Sequence, residues 1–311
     1  MSKRIFISGS LAYDRIMDFP GRFADHIMPD KVHMLNVSFT VNSLVERTGG
    51  TAGNIAYSLA LLGERPIIAA TIGHDYQRYF DWMELQGIPT NGVKIIADEF
   101  TAGAYITTDQ ADNQITGFNP GAMKCTSDYD LADATPEDSI GIISPGNVED
   151  MIAYRNVLQK KGIDFVFDPG QSLPIWDPSA LADALAGARV LISNDYELEM
   201  IMNRTGLSKA EIMDRVGAII TTMGEEGSVV TTASGESQVA PVKLLGRPID
   251  PTGAGDAYRG GLIKGMITGK DLVESARLGS VCGSYAVEVQ GTQTYRFTAD
   301  EFQHRHQATY G

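Results

Sequence analysis

Short apolar runs recur along the chain, each closing on small or polar residues, with helical patterns between them. Residues 4–10 (RIFISGS), 66–73 (PIIAATIG), 139–144 (SIGIIS), 164–170 (DFVFDPG), 189–194 (RVLISN) and 218–224 (AIITTMG) read as strands. Residues 51–63 (TAGNIAYSLALLG) carry Ile55, Leu59 and Leu62 at helical spacing and stop at Gly63; 148–162 and 195–206 read as further helices. Strands that alternate with helices predict an α/β fold with a doubly wound, mostly parallel sheet covered by helices on both faces. Ligands of such sheets lie beyond the carboxyl ends of the strands, and here those ends carry Ser10, Asp168, Asn194 and Thr222.

Two stretches break the alternation. Residues 14–45 show no convincing helix, and 99–118 (EFTAGAYITTDQADNQITGF) alternate like a hairpin with ADN as its turn. Together they predict a small β-sheet lid over a large domain made of 1–13, 46–98 and 119–311. The lid stretches hold apolar residues that a hairpin cannot all bury (Val37, Phe39, Val41 and Tyr105), and lid-on-lid packing in a homodimer would cover them.

Composition narrows the function. The 43% hydrophobic and 21% charged residues of this 311-residue chain describe an ordinary globular protein. A formal charge of −14 disfavours nucleic acid and anionic membrane as partners. No apolar stretch approaches the roughly 18 residues of a membrane span, and the opening MSKRIFISGS lacks a signal-peptide core. Cys125 and Cys282 are isolated, without a CxxC, so a cytoplasmic location is expected. His33, His74 and the other histidines show no metal spacing.

The candidate chemistry concentrates in 250–261, DPTGAGDAYRGG. Gly253, Ala254 and Gly255 let backbone N–H groups converge, and a helix start adds partial positive charge, which attracts an anion. Asp256 in the first turn places a base at the same spot, or else serves as a plain N-cap. NDYE (194–197) sets an amide and a carboxylate three apart on a first helical turn, which suits either water-mediated Mg²⁺ or a cap. TMGEEG (222–227) is a Gly-flanked turn with a hydroxyl, suited to a phosphate. GGTAGN (49–54) puts two glycines before a helix and an amide in its first turn, and Ser10 and Asp14 could grip neighbouring hydroxyls. No GxGxxG follows the first strand, which argues against a dinucleotide oxidoreductase, and no P-loop is present.

In this order (GS…D, GG…N, NxxE, TxGxxG, GAGD) the motifs resemble the ribokinase-like (PfkB) kinase family over nearly the whole chain. The resemblance implies a ribokinase-like fold with a β-lid and transfer of the γ-phosphoryl of ATP to a hydroxymethyl group. It implies that Gly253, Ala254 and Gly255 form an anion hole and that Asp256 is the base. Asn194 and Glu197 would organise Mg²⁺ through water. Thr222, Gly224 and Gly227 would border ATP, and Ser10, Asp14, Gly49, Gly50 and Asn54 would hold acceptor hydroxyls. Pro251 departs from the Thr common in the family and stiffens the approach to the anion hole.

Within the family the closer resemblance is to bacterial adenosine kinases. It rests on SLAYD (10–14), FPGRF (19–23), PDKVHMLNVSF (29–39), TTDQADNQITGFNPGAM (107–123) and FDPGQSL (167–173). That likeness implies adenosine as acceptor, with Phe118 stacked on adenine and Gln171 against the nucleoside, and it too points to a homodimer through the lid. A purine calls for an aromatic face and a few amide partners, where a sugar needs mainly hydroxyl-matching groups. The alternatives are a sugar kinase with the same machinery and a silent nucleoside-binding protein on this fold.

Overall fold

The computed structural model describes residues 3–27 and 36–311; His33 and most of the PDKVHMLNVSF stretch lie outside the described residues. The strands are β1 (Arg4–Ser8), β2 (Ala12–Asp18), β3 (Ser43–Gly49), β4 (Ile67–Gly73), β5 (Val93–Ile96), β6 (Ala102–Thr108), β7 (Gln114–Asn119), β8 (Ser139–Ile143), β9 (Phe165–Phe167), β10 (Val190–Asn194), β11 (Ile219–Thr222), β12 (Ser228–Thr232) and β13 (Gly235–Val239). The helices are α1 (Thr51–Leu61), α2 (Gln77–Gln86), α3 (Val148–Lys161), α4 (Pro178–Leu185), α5 (Asp195–Thr205), α6 (Lys209–Met213), α7 (Ala254–Ile267), α8 (Leu272–Val287) and α9 (Ala299–Tyr310).

Nine strands form one sheet in the order β13-β12-β11-β10-β9-β8-β1-β4-β5. From β11 through β5 the pairs are parallel, and β12 and β13 close one edge antiparallel. Consecutive residues of one strand feed opposite cores. Ile5 and Ile7 pack with Ile55, Leu59 and Leu262 of α1 and α7, while Phe6 packs with Met151, Leu158 and Phe165 toward α3. Such double burial is why these strands read as unbroken apolar runs. The doubly wound α/β expectation is borne out.

The helix ends are set locally. Asn147 caps α3 by accepting from the Asp150 N–H, and Gly162 ends it with φ of 70°. The stretches 12–18, 43–49, 102–108 and 114–119 make a second, four-stranded sheet in the order β3-β2-β6-β7. Its hairpin turns at the ADN triplet, where Asp112 has φ of 59° and Asp109 accepts from the Ala111 and Asn113 N–H groups. Phe39 belongs to a cluster with Phe19, Phe23 and His26 inside the chain, so it is not left over for a second copy. Tyr105, expected to be left over, is exposed on this sheet, together with Leu44, Val45, Ile115 and Phe118. Among the described residues no helix is long and apolar enough to cross a membrane.

One crossing places the site. Where α7 passes α1, a Cβ at Gly260 would lie 2.4 Å from the Ser58 Cβ and 3.3 Å from the Ile55 carbonyl oxygen. Glycine therefore lets the two helices approach closely enough for Asn54 of α1 to reach Asp256 of α7. Gly260→Val should destabilise the protein by about 3 kcal/mol, the upper range for overpacking. Urea unfolding checks the loss, which should come with reduced activity even below the transition because the two helices are wedged apart.

Candidate active site

The loop before α7 is tied down by Asp250, whose Oδ1 accepts from the Thr252 N–H at 2.9 Å and Oδ2 from the Gly291 N–H at 3.0 Å. Gly253 follows with φ of 77° as the N-cap of α7, and a Cβ there would lie 2.9 Å from Thr292. A side chain is excluded twice over, by conformation and by space. At Gly255 a Cβ would lie 2.8 Å from Nη1 of Arg259. The helix start thus has bare N–H groups and a guanidinium lying under it.

Asp256 is half-buried in the first turn of α7. Its Oδ2 accepts from Asn54 Nδ2 at 2.8 Å. The Asn54 Oδ1 accepts from Gln293 Nε2 at 2.8 Å, and Gln293 Oε1 accepts from Thr48 Oγ1 at 2.5 Å. This chain fixes both amide orientations and runs from the second sheet to the carboxylate. Burial pushes the Asp256 carboxyl up to about 6, against the opposing pull of Arg259 and the Asn54 hydrogen bond. A carboxylate poised there is largely ionised at neutral pH and still able to take a proton.

Arg259 makes a bidentate ion pair with Asp168 at the end of β9: Nε donates to Oδ2, and Nη2 donates to Oδ1 at 2.9 Å. The Asp168 charge holds the guanidinium above its usual range in spite of burial. Asn194 caps α5, its Oδ1 accepting from the Glu197 N–H at 2.7 Å while Glu197 Oε2 accepts from the Asn194 N–H at 2.9 Å. This is the capping arrangement weighed from the sequence. Glu197 is raised by burial and by the Asp168 charge, so Asp168, Asp256 and Glu197 face one guanidinium. Three carboxylates against one cation, with Glu197 Oε1 outside the capping box, suit a hard cation held partly through water. Among the described residues no group of three His, Cys, Asp or Glu side chains is placed to hold a metal by itself.

At the end of β3, Gly50 has φ of 87°, and a Cβ at Gly49 would lie 2.7 Å from Asp14 Oδ2. Burial raises the Asp14 carboxyl, with Arg47 opposing. Ser10 is drawn into the fold: it is buried, and its Oγ accepts from the Thr51 N–H at 3.0 Å, so it serves the start of α1. Thr222 ends β11, with Gly224 (φ of 55°) and Gly227 (φ of 88°) in the turn to β12. Gln171 is exposed just past β9. Phe118 is 55% exposed on the edge strand β7, which rules out a role in the interior of the second sheet.

In register, Asp14 pairs with Arg47 and with Ala104, and Ala104 pairs with Phe118. The four side chains therefore share one face of the second sheet. Arg15, Tyr105 and Leu44 lie on the other.

Residues 12–298 match the pfkB family of carbohydrate kinases. The chain belongs to that family. A nucleoside kinase of Methanocaldococcus jannaschii is 32% identical over 273 residues, covering 86% of this chain and 87% of that protein. The Burkholderia thailandensis nucleoside kinase in complex with inosine superposes with a TM-score of 0.85 at 40% identity, covering 99% of this chain and 98% of that one. The same Burkholderia enzyme has been solved in complex with ADP-inosine, at a TM-score of 0.83 and 41% identity over 99% of this chain and 96% of that one. The ribokinase-like fold expected from the motifs is thus shown, and the protein is a kinase of the nucleoside/sugar class.

Sequence reasoning passed over three residues of this candidate site. Arg259 carried a signal: it is the one charged side chain in the AYRGG segment that follows the acid. Asp250 stood in the same motif without a role. Gln293 carried none, because its partner Asn54 is 239 positions away.

Asp256→Asn keeps the shape and the Asn54 contact and should lower kcat by about 10²-fold or more. In the parent, kcat/KM should fall as pH drops through about 6. Stability moves the other way. Because the folded value is raised from 3.8, the carboxyl contributes stability only at low pH and loses it as pH rises through about 6. Asp256→Asn should therefore be more stable than the parent at pH 8, by up to about 3 kcal/mol, and gain nothing at pH 4. Denaturant unfolding at the two pH values checks the sign.

Proposed function

We propose that this kinase transfers the γ-phosphoryl of ATP to the 5′-hydroxyl of a purine ribonucleoside, adenosine above all, yielding the 5′-monophosphate in purine salvage. The observation that carries the reading is the shared row of Asp14, Ala104 and Phe118. Neighbouring strands lie about 4.8 Å apart, so the carboxylate and the phenyl ring stand about 10 Å apart with only a methyl between them. That span suits a ribose diol at one end and a purine ring at the other. A sugar acceptor gives an exposed phenylalanine nothing to cover. The inosine complex of the Burkholderia relative supports a purine nucleoside as acceptor.

Transfer needs positioning and charge neutralisation. Asp256 accepts the 5′-hydroxyl proton as that oxygen forms its bond to the γ-phosphorus and the bond to ADP breaks. The N–H groups of the Gly253–Gly255 turn and the α7 dipole take up charge on the phosphoryl oxygens. Asn194 and Glu197 would orient the water shell of Mg²⁺, which when bound neutralises phosphate charge. Thr222, Gly224 and Gly227 border the nucleotide, Gln171 meets the nucleoside, and Gly49 and Gly50 give the ribose close access to backbone. The second sheet acts as a lid over 14–45 and 99–118, excluding water from the transfer.

A coupled assay of adenosine, inosine, guanosine, ribose and fructose tests the assignment. Purine nucleosides should lead, and turnover of sugars alone would overturn it. Phe118→Ala removes stacking worth roughly 1–3 kcal/mol, which should raise KM for adenosine about 5- to 150-fold and leave KM for ATP in place. Equal losses across all acceptors would remove Phe118 from the base.

The outer face of the lid supports a homodimer. Leu44, Met17, Thr107 and Ile115 share a row there, and Leu44 and Ile115 are exposed. Light scattering at micromolar concentration should give twice the 33.6 kDa chain mass. Leu44→Glu combined with Ile115→Glu should give the monomer; a parent already monomeric would refute the pairing.

A further inference from the structure

Residues 291–293, in the segment after α8, touch three parts of the site in turn. The Gly291 N–H donates to Asp250, Thr292 lies against Gly253, and Gln293 Nε2 donates to Asn54. Strand β3 of the small sheet meets the same segment at two successive residues. Arg47 Nη1 lies where a Cβ of Gly291 would stand, and Thr48 Oγ1 donates to Gln293 Oε1. Gly53 is bare at the same junction: a Cβ there would run into the Tyr79 hydroxyl and lie 3.1 Å from Gln293 Nε2.

The hydrogen bonds that run from Thr48 to Asp256 have one direction. An amide side chain can present either its NH₂ group or its oxygen, but an ionised carboxylate only accepts. Asp256 therefore needs the Nδ2 end of Asn54, which leaves Asn54 Oδ1 facing Gln293. Gln293 must then turn Nε2 inward and Oε1 outward, where only a donor can meet it. The Thr48 hydroxyl is that donor. Asn54 and Gln293 are 5% and 7% exposed, so a reversed amide would set oxygen against oxygen at a nearly dry contact.

We propose that Gln293 is a positioning residue for the transfer: it holds Asn54 with its NH₂ group toward Asp256, and the Thr48 hydroxyl makes that orientation depend on where the small sheet sits. The inference rests on Asp256 being the base of the proposed transfer. Gln293 touches no reacting atom. It acts through Asn54, whose hydrogen bond steadies the carboxylate. The competing role is mechanical: the Thr48–Gln293 bond would only tie β3 to the segment after α8, and its loss would appear in stability alone.

Gln293→Met keeps the length of the side chain and removes both ends of the amide; Thr48→Val keeps the shape and removes the donor. In single turnovers of ATP and adenosine well below the unfolding transition, the transfer rate should fall about 10-fold or more in Gln293→Met and about 3-fold in Thr48→Val, with KM for ATP in place. Thr48→Ser, which keeps the hydroxyl, should restore the rate. Because the two residues act in series, the double variant should be no slower than Gln293→Met alone. In the protein without substrates, the ¹H–¹⁵N signals of the Asn54 side-chain amide should shift in Thr48→Val and return in Thr48→Ser. A lowered Tm with an unchanged transfer rate overturns the inference and leaves only the tie. Losses that multiply in the double variant, or an Asn54 signal that ignores Thr48, overturn it as well. If Gln293→Met does not fold, Thr48→Val and Thr48→Ser decide alone, and a parent-like rate in Thr48→Val refutes the proposal. An Asp256→Asn variant as fast as the parent would instead sink the base assignment beneath it, whereas a rate that needs Asp256 and ignores both Thr48 and Gln293 sinks this inference only.

Discussion

The structure turns on keeping a carboxylate charged inside a crowded acidic pocket. Asp256, Asp168 and Glu197 gather around the start of α7 with Arg259 among them. Bringing them together is unfavourable in a low-dielectric interior, and the surrounding chain is shaped to make it tolerable. Gly255 is bare because the guanidinium lies against it, and Gly260 is bare so that α1 can deliver Asn54 as a hydrogen-bond donor. Asp250 spends both oxygens on backbone N–H groups, holding the loop open-faced while the side chains crowd beneath it.

The same crowding accounts for where the helices begin. Asn194 and Glu197 satisfy the start of α5 by binding each other, which leaves a carboxylate oxygen at the pocket without leaving backbone donors unmet. Capping and cation binding had looked like rival readings of NDYE. They are compatible, because the capping box takes only one of the two Glu197 oxygens.

Much of this was legible in the sequence, for physical reasons that differ by element. The strands β1, β4, β8, β10 and β11 stood out because both faces are buried, so apolar residues run through them with polar positions few and mostly near their ends. The hairpin β6–β7 stood out because its two apolar-containing segments flank a turn rich in Asx residues. Local glycine chemistry marked the loop before α7, since only a short run without side chains can aim several N–H groups at one point. What stayed hidden depends on partners far apart in sequence. Ser10 was legible as a strand-end residue, and only the fold shows that its Oγ also accepts from the Thr51 N–H. Gln293 has no periodicity and no motif, and its meaning comes from Thr48 and Asn54. Phe39 looked like spare apolar surface because its partners Phe19 and Phe23 lie about twenty residues upstream in the same lid segment.

The two sheets divide the work between selection and chemistry. On the proposed function, the nine-stranded sheet and α7 hold the groups that the phosphoryl group would meet, and none of them depends on the identity of the acceptor. The inner face of the four-stranded sheet carries Asp14 and Phe118, the side chains on which the proposed choice of acceptor rests. Thr48 belongs to that same sheet, and its hydrogen bond to Gln293 passes through Asn54 to Asp256. A shift of β3 relative to α7 must therefore lengthen at least one of these bonds or move the Asp256 carboxylate. An acceptor that seats the small sheet well leaves the base supported, and one that holds it ajar leaves the base less well oriented. Selectivity on this account is expressed in kcat as well as in binding, because the sheet that reads the acceptor also steadies the group that removes its proton.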